Sequence, residues 1–379
     1  MRLVFCVFRY FPFGGLQKDM RRMAEAAVAA GHQVHILCGE WEGTKPDNIP
    51  VSVLPVTAYR NHRRDALLAE KLLKAAQSLK PHLIVGFNRM PGLDVYYAAD
   101  SCFAAKVYED RMRLLRWLPR YRHHLAMEAA VFGMASRTEI LMISPPQIPV
   151  FQRYYHTPDA RMHLLPPGIS RDRVANGDAL LRRTSFRRHW DIADHEKMIL
   201  MVGSGFRTKG LDRAIRALAH LPEGLRQTAR LWIVGQDEPR AFERLASRLK
   251  VLDKIRFLGG RPDVPEFLLG ADVLIHPAYR ENTGTVLLEA MVSGLPVVTT
   301  AVCGYAPYVR EHNMGEVLAE PFSQPALDEA LLKQLSGPSR GILLERGRAF
   351  AEHADIFSMP ERAVETLEEV ATRRYGTLP

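Results

Sequence analysis

The sequence predicts an α/β protein made of two doubly wound domains, each built on a parallel sheet. Three observations carry that expectation. Short β-rich runs alternate with helix-length segments along the whole 379-residue chain. The alternation pauses once, at "LLPPGISRDR" (164–173), where two prolines and a glycine break the pattern. The length suits two cores of about 150–200 residues better than one.

The first half reads as strand "LVFCVF" (3–8), a helix from Leu16 to Ala30 stopped by Gly31, and strand "QVHILC" (33–38). Strand "VSVLPV" (51–56), a helix over 62–79 and strands "HLIVGF" (82–87), "VYYAAD" (95–100) and "EILMIS" (139–144) follow. After the pause come strand "MILMVG" (198–203), helix 211–220, strand "RLWIVG" (230–235), helix 239–249 and strand "KIRFLG" (254–259). Strand "DVLIHP" (272–277), helix 285–293, strand "PVVTT" (296–300) and a last helix over 360–374 complete the pattern.

Composition narrows the class. Apolar residues make up 47% and charged residues 25%, which excludes a disordered chain. No run of about 18 apolar residues occurs, so no membrane-spanning helix is expected. The opening "MRLVFCVFRYFPFGG" has too short an apolar run, and no small-residue cleavage site, for a signal peptide; it reads as the first strand. Cys6, Cys38, Cys102 and Cys303 lie far apart, which argues against disulfides or zinc and fits a cytoplasmic protein. The net charge of +9 points to anionic partners: nucleotides, nucleic acid or a membrane surface.

Two glycine turns could hold phosphate. Gly14 and Gly15 separate the first strand from its helix. Gly203, Gly205 and Gly210 do the same in the second half, with Arg207 and Lys209 placing two cations before a helix start. Neither turn is a dinucleotide fingerprint or a P-loop, so a nicotinamide or flavin cofactor is not expected.

"RENTGTVLLEAMVSGLP" (280–296) holds two glutamates, Glu281 and Glu289. Eight residues along one helix would leave them about 80° apart. Thr283 is a candidate N-cap, which puts Glu281 in the loop and Glu289 in the second helical turn. The carboxylates would take hydroxyls, and free N–H groups near Gly284 and Thr285 would take a phosphate. A nucleotide sugar has that set of groups. The alternative is a dipole-favouring Glu281 and a Glu289 on a solvated edge.

Together these stretches resemble the retaining glycosyltransferases of family 4, which have the GT-B fold of two Rossmann-like domains around a cleft. The spaced glutamates, "GADVLIHPAYRE", the "KG" turn and the N-terminal "GG" turn carry the resemblance over nearly the whole chain. More narrowly, "FPFGGLQKD", "VGFNRMPGLDVYYAAD", "VGQDEPRAFE" and "TTAVCGYAPYV" resemble the lipopolysaccharide core glucosyltransferases of Gram-negative bacteria. The resemblance implies an acceptor-side domain over 1–166, with the tail 360–379 packing back on it, and a donor-binding domain over 167–359.

It also implies roles. Glu289 would bind ribose, and Glu281 the donor sugar. Asn282, Thr283, Gly284, Thr285 and Val286 would line the donor between them. Lys209 with Arg207 would hold the diphosphate, Arg261 would lie near the base or phosphates, and Gly14 and Gly15 would cap the diphosphate. Asp19 and Asp100 would face sugar or acceptor; each is equally readable as an ordinary helix-start or strand-end aspartate. Ser204 stands where many members carry arginine. The polar "NTGT" after Glu281 leaves UDP-glucose and a UDP-N-acetylhexosamine both open as donors. Retention in this family is explained by same-face attack, with a donor phosphate oxygen taking the acceptor proton. No Asp-x-Asp occurs, so no metal and no cofactor is expected.

The segment 103–132 differs in kind. Lys106, Arg111, Arg113, Arg116, Arg120 and Arg122 interleave with Trp117 and several leucines, the composition of a helix lying in a lipid headgroup layer. A basic solvated insertion is the alternative, and no nucleic-acid fold signature accompanies it. The sequence thus points to a peripheral enzyme on the cytoplasmic face of the inner membrane, moving a sugar from a UDP-sugar onto an inner-core heptose. Transfer to another lipid-linked or soluble acceptor, and a non-catalytic nucleotide-binding protein at the membrane, are the other readings.

Overall fold

A computed structural model describes residues 1–12, 14–109 and 116–377. The chain forms two compact units, Met1–Gly168 with Ser358–Pro379, and Ile169–Phe357. The break follows the Pro166-Pro167-Gly168 run, against an expected boundary between 166 and 167.

The first unit holds a seven-stranded parallel sheet. Its strands are β1 (Arg2–Tyr10), β2 (Gln33–Trp41), β3 (Val51–Val53), β4 (Leu83–Gly86), β5 (Val95–Ala98), β6 (Glu139–Met142) and β7 (Met162–Leu164). They lie in the order β3-β2-β1-β4-β5-β6-β7. Central strands covered on both faces must be apolar throughout, and Leu3–Val7 are all buried. β3 ends two residues before Pro55, which has no N–H for the ladder. The helix Gly15–Ala29 ends at Gly31, whose φ of +85° closes the turn with its N–H on Val28 O.

The last helix, Met359–Tyr375, belongs to this unit. Its stripe of Met359, Ala363, Val364, Leu367, Val370 and Ala371 joins the same core as Met20, Met23 and Ala27 of the first helix. Arg374 pairs with Asp94, and His32 lies 2.9 Å from Glu368.

The second unit holds β8 (Lys197–Val202), β9 (Ala229–Val234), β10 (Ile255–Phe257), β11 (Val273–His276), β12 (Val297–Thr300) and β13 (Gly315–Leu318). The order is β10-β9-β8-β11-β12-β13, again all parallel. In each sheet the winding direction reverses once, between β1 and β4 and between β8 and β11. The carboxyl ends of such strand pairs are where α/β sheets bind ligands.

Candidate functional site

In the second unit the reversal point carries the chemistry. The loop after β8 runs through Gly203, Gly205 and Gly210, all with positive φ, into the helix Leu211–His220. At 210 the reason is visible. A Cβ there would lie 2.0 Å from the carbonyl oxygen of Pro277, which follows β11. The two loops therefore touch backbone to side-chain position, and Tyr279 N–H donates to Thr208 O across the same seam (2.8 Å).

That contact brings Lys209 against Glu281. The ammonium donates to Oε2 of the carboxylate. His276, the last residue of β11, reaches the same oxygen with Nε2 at 3.0 Å. His276 is 1% exposed and the Glu281 side chain 11%, so the pair is largely out of water. Burial pushes the Glu281 carboxyl up, but the hydrogen bond and charge of His276, with Lys209, outweigh it and hold the group at about 2. It is a carboxylate at any working pH. Among the described residues both donors use Oε2, and Oε1 takes no hydrogen bond from the protein.

Further side chains fix the loop before Glu281. The Arg213 guanidinium donates to the carbonyls of Pro277 and Ala278 (3.1 Å each) and lies between the rings of Tyr279 and Phe322, 3.6 Å from each centroid. Tyr279 OH donates to Asp212 (2.9 Å). Thr299 Oγ1 donates to His276 O (3.0 Å). Of these residues the sequence singled out none. His276 looks like the end of a buried strand, and Arg213 like one charge on an amphipathic helix.

The second glutamate lies in the helix Thr285–Val292, in its second turn as expected. The expected cap does not hold. Thr283 makes no capping hydrogen bond; the N-cap is Gly284, at φ +84°. A left-handed cap suits glycine, and it turns the Thr283 carbonyl to accept from Tyr305 N–H (2.8 Å). Glu289 is not on a solvated edge. Its Oε1 lies 3.6 Å from Nε of Arg173, and both side chains are mostly buried. Arg173 comes from the segment after the interdomain linker, and nothing local in the sequence marks it.

The other donor-site candidates are dispersed around this centre. Arg207 is exposed. Ser204 Oγ accepts from Gln236 N–H (3.0 Å) and closes the glycine turn. Arg261 is gripped at both ends of its guanidinium by Asp263 (2.8 and 2.6 Å) and lies against Trp190 and Phe267, so its hydrogen bonds go to its own loop. Asn282, Thr283 and Val286 are half-buried and Thr285 is exposed.

In the first unit, Gly14 is the extended N-cap of the helix Gly15–Ala29, and a Cβ at Gly15 would meet no protein atom within 4 Å. Asp19 is committed inside the unit. One carboxylate oxygen accepts from Arg22 (2.6 Å) and the other from Tyr97 OH (2.7 Å), and burial pushes its pKa up against both. Asp100 is exposed just after β5 and lines a cavity of about 330 Å³ with Asn88, Arg89, His123 and His124.

Of the basic segment, Arg111 and Arg113 lie outside the described residues. Trp117 and Leu118 are 68% and 48% exposed, with the Arg116 guanidinium over the Trp117 ring (5.1 Å) and Arg122 exposed one helical turn on. Lys106 and Arg120 line the cavity with Asp100 instead. Among the described residues no helix is long and apolar enough to cross a membrane, and no cluster of His, Cys, Asp and Glu is placed to hold a metal.

Comparison with known proteins gives the family. Residues 13–173 match the family model for Glycosyltransferase Family 4, and residues 182–354 that for Glycosyl transferases group 1. The chain is 45% identical over 371 residues to the lipopolysaccharide glucosyltransferase WaaG of Escherichia coli K12, covering 97% of this chain and 98% of the relative. A D-inositol 3-phosphate glycosyltransferase of Geodermatophilus obscurus is 34% identical over 243 residues, 60% of this chain and 52% of that one. The crystal structure of WaaG superposes with a TM-score of 0.91 at 44% identity, covering 96% and 99% of the two chains. Anabaena Alr3699/HepE, solved with UDP-glucose, shares the fold at 17% identity and a TM-score of 0.73, covering 97% and 100%.

Proposed function

The chain belongs to the family 4 glycosyltransferases with the GT-B fold, a hexosyltransferase of lipopolysaccharide core biosynthesis, and from that premise we propose that it moves a hexose, with retention, from a UDP-sugar to a heptose of the inner core. The observation that carries the reading is the convergence of Lys209 and His276 on one oxygen of Glu281. It leaves the other oxygen of a fully ionised carboxylate to accept a sugar hydroxyl, at the strand ends where a nucleotide sugar would lie.

Lys209 has three N–H donors, so it can serve Glu281 and a donor phosphate together. With exposed Arg207 and the glycine turn it supplies positive charge at the leaving diphosphate, and no metal is required. Catalysis then rests on position and on charge stabilisation of departing UDP, with a donor phosphate oxygen accepting the acceptor proton. Glu289, held by Arg173, takes the ribose hydroxyls. The intact Glu281–Lys209 pair speaks against a protein that has lost catalysis.

UDP release from a panel of UDP-hexoses and UDP-N-acetylhexosamines, with and without a heptose-bearing acceptor, tests the reading. Heptose-dependent release from one donor, unaffected by EDTA, is expected; no release from any donor would refute it. The enzyme works at the inner face of the inner membrane, which exposed Trp117 and Leu118 beside Arg116 and Arg122 support. Pelleting with anionic but not with neutral vesicles is the expected outcome, and equal binding to both would overturn it.

A further inference from the structure

The cavity in the first unit lies at the carboxyl ends of β1 and β4, where that sheet reverses direction. Its floor is a hydrogen-bonded ion pair. Arg89 pairs with Glu128 at 2.9 Å, and Glu128 is fully buried. That carboxylate also accepts from the N–H groups of Phe103 (2.7 Å) and Ala104 (2.8 Å) and from Tyr155 OH (2.7 Å). Arg89 donates further to the carbonyls of Asp100 and Ser101 (3.2 and 2.8 Å). Asn88 is fixed by Phe8 N–H, which donates to its Oδ1 at 2.7 Å.

Above this floor stand groups suited to hydroxyls: Asp65, Asp100, His123 and His124. Burial holds both imidazoles below their ordinary range; His62 beside His123, and His123 with Arg120 beside His124, push the same way, against Asp65. Beside Lys106 and Arg120 the lining thus offers two aspartates and two imidazoles held toward the neutral form. These groups can accept from and donate to sugar hydroxyls. The volume, about 330 Å³, is at the small end of ligand pockets of about 300–1,000 Å³ and suits one sugar residue, not a lipid.

The rim has the opposite character. Lys106 and Arg120 are exposed on it, and neither forms an ion pair among the described residues. Two exposed cations beside hydroxyl-reading groups describe a ligand that is polyhydroxylated and carries a negative charge.

We propose that this cavity seats the acceptor sugar, and that Lys106 and Arg120 take an anionic substituent, phosphate or carboxylate, carried next to the reacting residue. The inference rests on the transferase reading above. It moves these two cations from a lipid surface to the acceptor, while Arg116, Trp117 and Arg122 keep the membrane role.

The test uses water-soluble, deacylated heptose-bearing acceptor in three forms: untreated, phosphatase-treated and carboxyl-reduced. The wild type should prefer the untreated acceptor over one of the two modified forms by about tenfold in kcat/KM, and the affected form names the anion. Lys106→Ala/Arg120→Ala should lose that preference while binding anionic vesicles as the wild type does. Equal use of all three acceptors by the wild type, or a variant that keeps the preference but no longer pellets with vesicles, overturns the proposal. Calorimetric binding of the same three saccharides reads the site without turnover, so a failure of the transferase reading is distinguished from a failure of this one.

Discussion

His276 Nε2 lies 3.0 Å from Glu281 Oε2, on an imidazole that is almost wholly buried. The contact decides which oxygen of Glu281 remains for a ligand, and it helps keep the group ionised. Without it, a buried carboxylate would depend on Lys209 alone, and the burial that already pushes it up would count for more. His276→Leu is therefore expected to lower donor kcat/KM by about 10- to 100-fold, the scale of one charge-assisted hydrogen bond. Its acid limb should also move upward, because Glu281 must be ionised to accept a hydroxyl. His276→Gln keeps an N–H donor and should recover part of the rate and the wild-type limb. A leucine variant with an unmoved pH profile would show that His276 only fills space.

The same carboxyl makes a stability prediction with a definite sign. Its folded-state value, about 2, lies below its ordinary value of 4.5. The stabilisation is thus complete above pH 4.5 and is lost as pH falls from there toward 2. Its size is about 3 kcal/mol. Glu281→Gln should be less stable than wild type at pH 7, and the gap should close between pH 5 and 2. Denaturant melts across that range check it; a constant gap would mean that the ion pair is not what holds the two loops.

Two glycines should separate by stability. At Gly210 an added Cβ would strike Pro277 O at 2.0 Å with φ at +79°, so Gly210→Ala must push apart the loops that bring Lys209 to Glu281. A loss of about 3 kcal/mol, roughly 6–12 °C in Tm for a domain of this size, is expected, with donor use lost alongside. At Gly15 the Cβ meets nothing, so Gly15→Ala should melt like wild type. If the diphosphate approaches that backbone, its donor KM rises all the same. An unchanged KM would remove Gly15 from the donor site.

Much of the fold was legible because interior parallel strands are continuous apolar runs, as "LVFCVF" is in β1. β13 was not. It begins at Gly315, which reads as a breaker, yet a Cβ there would sit 1.8 Å from Val297 O, so glycine is what lets the strand pair with β12. The site split along similar lines. Lys209 and Glu281 stand in short motifs whose spacing points to a ligand. Their supports do not, because a buried partner such as His276 or Tyr97 has the same local signature as any strand residue. Side-chain chemistry favours Thr283 as the cap, and backbone conformation favours Gly284 instead.

Arg173 is the support least visible in the sequence, and it gives the sharpest test of the second glutamate. Its Nε lies 3.6 Å from Glu289 Oε1, and its Nη1 is buried without a hydrogen bond among the described residues. If Glu289 holds the ribose, Arg173 acts only by placing that carboxylate. The two residues should then behave as one unit. Arg173→Ala and Glu289→Ala should each raise the Kd for UDP, and the double variant should be no worse than the poorer single, a coupling of about 1–2 kcal/mol. Both should also lose the preference for UDP over its 2′,3′-dideoxy analogue. Additive losses, or an intact ribose preference in Glu289→Ala, would assign the ribose to another residue and leave the Arg173–Glu289 pair as a brace between the post-linker segment and the helix.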